Sequence, residues 1–158
     1  MKNVYLFLLA GLIGMELALG VFVAPAIFYP QRYMGESPLT HFESGVIMTQ
    51  IFIKYNYALL FVSAFALLFE LFGLKGKTSF YIRISSFALA FINLALALAF
   101  VFYFTDFIIA AQAMGEEMTM GNAEFDAMHK ASEYVMKLML MAQTLLFFIS
   151  AIKPKSQA

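Results

Sequence analysis

Cysteine and tryptophan are both absent from the chain. Without cysteine there is no disulfide, no thiolate metal ligand and no thiol nucleophile. Without tryptophan, anchoring at a membrane interface falls to Tyr and Phe. Charge is scarce as well: 13% of the 158 residues are charged, against about 25% in soluble domains. Ten basic and ten acidic residues cancel to a net charge of zero, which leaves no basic face for nucleic acid. Glycine-rich phosphate loops, His-Glu-x-x-His and nucleophile-elbow patterns are missing. Ser37, Ser44 and Ser132 have no evident triad companions. The chain reads as a non-enzyme.

What fills the sequence instead is hydrocarbon. Hydrophobic residues make up 63% and the mean hydropathy is +0.82, more apolar surface than a soluble fold of this length has interior to hide. A bilayer removes that difficulty. Four apolar stretches each reach the roughly 20 residues needed to cross the hydrocarbon core, at about 4–28, 46–74, 80–113 and 124–152. The pattern predicts an all-α membrane protein, one integral membrane domain over 1–158, with four transmembrane helices in an antiparallel up-down bundle. Pro154 forbids further helix at the end of the fourth. Met1-Lys2 and Ala24-Pro25-Ala26 imitate a signal peptide, but the first apolar stretch is too long for one and carries Glu16. Pro25 is placed to kink or to end the first helix.

Basic residues set the orientation. Lys2, Lys75, Lys77, Arg83, Lys153 and Lys155 fall on one side, and the other two loops hold only Arg32 and Lys130. Both termini are therefore expected in the cytoplasm, and the protein in the inner membrane as a multi-pass chain. Lipid supplies no hydrophobic drive for helix association, so small residues are the expected seams: Ala10, Gly14 and Ala18 on the first helix, Ala88, Ala95 and Ala99 on the third.

Ionisable groups at bilayer depth cost on the order of 2.5–3.5 kcal/mol each near the centre. The candidates are Glu16, Lys54, Asp106, Glu133 and Lys137, joined by Asn56, Asn93 and His129. At 1.5 Å per residue, Glu16 and Lys54 both lie about 12 Å below the outer surface, level and opposite in charge. His129, Glu133 and Lys137 recur every four residues and share a helix face. Two readings follow: ion pairs that fix helix register, or a polar pocket open to the outer side that admits an ion or small solute. A non-enzymatic accessory or assembly subunit of a membrane complex fits the first. A pore through so few helices would need a homo-oligomer. Soft ligands give a third: seven of eleven methionines lie between Met114 and Met141, and Met118, Met120, Met128 and His129 would suit copper. No cofactor is otherwise expected; a bis-histidine haem would need His41 and His129 to converge, which a loop position for His41 does not favour.

Three segments carry a resemblance. Ala24-Pro25-Ala26-Ile27-Phe28, Ile51-Phe52-Ile53-Lys54-Tyr55-Asn56 and Phe125-Asp126-Ala127-Met128-His129-Lys130-Ala131-Ser132 resemble motifs of the transmembrane-protein-205-like family, also known as domain-of-unknown-function family 4149. The sequence departs from that pattern after Ser132, where Met136 and Lys137 stand in place of an Asn. The resemblance implies a small four-helix membrane protein without an established activity, and a site at Pro25, Phe28, Lys54, Asn56, Phe125, His129 and Ser132. Eukaryotic members are linked to tolerance of platinum drugs, in keeping with the soft-metal alternative.

Overall fold

The computed structural model describes residues 1–76 and 78–153; Lys77, Pro154 and Lys155 lie outside the described residues. Among the described residues, four helices are long and apolar enough to cross a membrane: Lys2–Phe28, His41–Gly73, Phe80–Ala113 and Ala123–Ile152. The first packs on the second and fourth, and the third packs on the same two, so the spans form a four-helix bundle around one core. At one end, Lys2 Nζ donates to the carbonyls of Ala151, at 2.9 Å, and of Lys153. Arg83 donates there to the carbonyls of Leu74 and Gly76, pinning the second connection. At the opposite end lie Phe28, His41, Gln112 and Phe125, around a common cavity.

The second helix begins at His41, five residues ahead of the apolar run that starts at Val46. The cause is a capping box. Thr40 Oγ1 accepts from the Glu43 backbone N–H at 3.1 Å, and Glu43 Oε2 accepts from the Thr40 N–H at 2.8 Å, satisfying two donors that the first turn would otherwise strand. His41 consequently sits on a helix and not in a loop. Thr40→Ala is expected to cost about 1 kcal/mol, read as a lower midpoint in an SDS unfolding titration followed by circular dichroism.

Two spans are not uniform α-helix. Leu19–Val23 and Phe100–Thr105 are π-helical. Pro25 lacks an N–H and its ring crowds the carbonyl four residues earlier; the wider segment just before it absorbs that conflict, and the helix continues to Phe28. In the third span, Thr105 Oγ1 donates to the Phe100 carbonyl at 2.9 Å, a side chain inserted into the ladder. Such π segments are frequent at functional sites.

The small-residue seams do not hold. Ala10, Gly14, Ala88 and Ala95 are exposed, and Ala18 and Ala99 only half-buried. The faces turned inward carry Tyr5, Leu9, Leu12, Glu16 and Leu19 on the first helix, and Ser86, Ala90, Asn93, Ala97 and Phe100 on the third. Large apolar groups outside, such as Phe7, Phe22, Phe72, Phe91 and Phe148, suit contact with lipid.

Candidate functional site

Buried polar side chains occupy distinct levels along the bundle. Near the Lys2 end, Glu70 is 1% exposed. Its Oε1 accepts from Tyr5 Oη at 3.0 Å and Ser150 Oγ at 2.9 Å, and its Oε2 pairs with Lys153. Further along, Asn93 Nδ2 donates to Ser63 Oγ at 3.1 Å. The next level holds Glu16, 3% exposed, whose Oε1 accepts from Tyr55 Oη and, at 2.7 Å, from Gln143 Nε2. Asn56 Nδ2 donates to Thr105 Oγ1 at 3.2 Å.

Above these levels the four spans part around a cavity of about 610 Å³, within the usual range for small-molecule sites. Leu19, Met48, Phe52, Phe100 and Met136 form apolar walls, while His41, Gln112, Asp126, His129, Glu133 and Lys137 bring polar groups to it. The two π segments contribute Leu19, Gly20, Phe100 and Thr105. His129 Nε2 lies 3.5 Å from Glu133 Oε1, and Lys137 Nζ 3.4 Å from Glu133 Oε2, all three substantially solvent-accessible. Phe125 stacks on His129 and Phe28 tilts against His41. Hydroxyls facing the cavity are tied back to their own helices: Thr49 Oγ1 donates to Gly45 O at 2.9 Å and Ser132 Oγ to His129 O at 2.7 Å.

The model of the family described as Domain of unknown function (DUF4149) matches residues 7–117, more than two thirds of the chain. The chain belongs to that family. No curated protein and no solved structure matches it. In this DUF4149 chain the matched stretch holds most of the first span and all of the second and third, with Pro25, Phe28, Lys54 and Asn56; Phe125, His129 and Ser132 lie beyond it. The further likeness to transmembrane-protein-205-like proteins rests on the short motifs alone.

The predicted site residues divide. Pro25, Phe28, Phe125, His129, Ser132, Glu133 and Lys137 all line the cavity of the DUF4149 chain. Glu16 and Asn56 lie under it with other partners, and Asn93 lies deeper still. The Glu16–Lys54 pair is not formed. Lys54 is exposed beside Met15, Ala18 and Ile51 in a shallow groove on the outside of the bundle, because the next residue, Tyr55, takes the inward position. Asp106 is exposed and does not line the cavity. The proposed soft-metal set is split: Met120 and His129 face the cavity, Met118 and Met128 do not. Among the described residues no group of His, Asp and Glu is arranged to hold a metal ion. Sequence reasoning missed Gln143 and Glu70; an uncharged amide and a carboxylate inside long apolar runs were the available signals.

Proposed function

We propose that this protein binds a small, largely apolar solute in the cavity between its four spans and handles it at the outer face of the inner membrane. The lysine and arginine bias supports an antiparallel bundle with both termini cytoplasmic, which turns the cavity outward. The observation that carries the reading is the cavity itself: lined by all four spans, apolar in its walls, with acidic, basic and imidazole groups beside them. That lining suits an amphipathic molecule better than a bare ion, whose lost hydration the apolar walls would not replace.

The absence of tryptophan makes a direct test available. A Phe104→Trp reporter, next in the chain to the cavity-lining Thr105, should transfer energy to uncharged N-phenylnaphthylamine in a saturable way in lipid nanodiscs. Gly20 faces the cavity with open space around its missing side chain, so Gly20→Phe should fill it and weaken the probe by about tenfold or more. Transfer that rises linearly, as lipid partitioning does, and ignores Gly20→Phe would remove the proposal.

A second reading, a non-enzymatic accessory or assembly subunit, draws on the outward-facing stripe of Ala10 and Gly14, where another helix would approach closely. Saturable probe binding would count against it as the main role.

A further inference from the structure

We infer that Glu16 is a proton-binding site whose protonation is linked to occupancy of the cavity above it. The linkage rests on the solute reading; the protonation does not. Glu16 lies about 21 Å along its helix from Lys2 at 1.5 Å per residue, deep within a span. Its contacts are neutral groups, Tyr55 on the second span and Gln143 on the fourth. No cation faces it. On the second span Lys54 points away; on the fourth, Glu133 and Lys137 pair with each other at the cavity; on the third, Asp106 is exposed; on its own helix the other ionisable groups are Lys2 and Tyr5, both engaged at the far end of the span. Glu70 shows the contrast, since Lys153 supplies its counter-charge. A carboxylate without one at this depth is costly, and a proton is the counter-charge within reach.

The surroundings offer a route. Leu19, three residues beyond Glu16, and Phe52, three before Tyr55, both line the cavity. Thr105 also lines it and accepts from Asn56, the residue after Tyr55. Three oxygens in this layer, Glu16 Oε2, Asn56 Oδ1 and Gln143 Oε1, are buried without a hydrogen-bonding partner among the described residues. Buried acceptors of this kind are rare unless water or function explains them. Water admitted at the cavity floor would donate to them. In the step itself, Glu16 Oε2 takes a proton from hydronium, forming one O–H bond and leaving water, while Tyr55 and Gln143 keep their bonds to Oε1. Release is the reverse. A neutral solute covering the floor dries this layer and favours the neutral carboxyl; by reciprocity, protonation tightens the solute.

Infrared difference spectroscopy across a pH step, on protein in nanodiscs without added probe, should show a protonated-carboxyl band that titrates. The band should vanish in Glu16→Gln, which still accepts from Tyr55, and persist in Glu70→Gln. In the Phe104→Trp background, N-phenylnaphthylamine should bind about tenfold more tightly at the acid end, and Glu16→Gln should make its affinity independent of pH. The absence of a titrating Glu16 band overturns the inference, as does pH-dependent affinity that survives Glu16→Gln. A titrating Glu16 band without saturable probe binding sinks the solute reading and the linkage together, and leaves the proton site standing.

Discussion

Lys153→Met is expected to destabilise the folded bundle by about 3–5 kcal/mol, because removing one partner of a buried ion pair strands the other charge. Glu70 is 1% exposed and the Lys153 side chain 13% exposed, so water reaches the pair poorly. The two hydroxyls that also serve Glu70, from Tyr5 and Ser150, soften the loss without neutralising the carboxylate. Lys153 also supplies a backbone carbonyl to Lys2, which the substitution leaves in place. The double variant Glu70→Leu with Lys153→Met should recover part of the loss, since it removes the stranded charge but leaves the buried Tyr5 and Ser150 hydroxyls without their acceptor. SDS unfolding midpoints of the parent and the two variants measure this. A single variant as stable as the parent would mean that the pair is solvated and contributes little. The pair ties together the first, second and fourth spans at the end opposite the cavity, so its loss should loosen that end first.

Hydropathy made the four spans legible, since an apolar run of membrane length has few alternatives. Their ends were less so. The second helix starts in a polar stretch, and only the Thr40-x-x-Glu43 spacing signals it; an apolar-run criterion passes over such a cap. Polar depth was legible and azimuth was not. Height along the axis placed Glu16 level with Lys54, but each step along a helix turns the side chain by about 100°. Tyr55, one step on, points inward, and Lys54 faces outside. Opposite charge drew attention to the wrong neighbour; the partners in the structure, Tyr55 and Gln143, carry none. The small-residue stripes failed for a related reason: an apolar helix in lipid has no polar outer face, so composition alone cannot mark its inner side. The cavity's wall on the fourth span was legible because His129, Glu133 and Lys137 share a face by spacing alone. Its floor was not, because it depends on two π segments whose extra width no periodicity announces.

Glu16→Leu is expected to cost about 2–3 kcal/mol, although it removes an ionisable group from the membrane interior and adds apolar surface. Two donors lose their acceptor: Tyr55 Oη and Gln143 Nε2, both on buried side chains. A stranded buried donor costs about 1–3 kcal/mol, and interhelical hydrogen bonds in membranes average about 0.6 and reach about 1.7 kcal/mol, which sets the total near the low end. Glu16→Gln keeps an acceptor oxygen and should lose less than 1 kcal/mol on the same scale. Combining Glu16→Leu with Tyr55→Phe and Gln143→Leu removes donors and acceptor together, and should restore stability close to the parent value. This ordering, with the triple variant above the single one, separates a satisfied polar cluster from simple packing: were packing the cause, each added substitution would lower the unfolding midpoint further. The triple variant should fold while showing no titrating carboxyl at this level of the bundle.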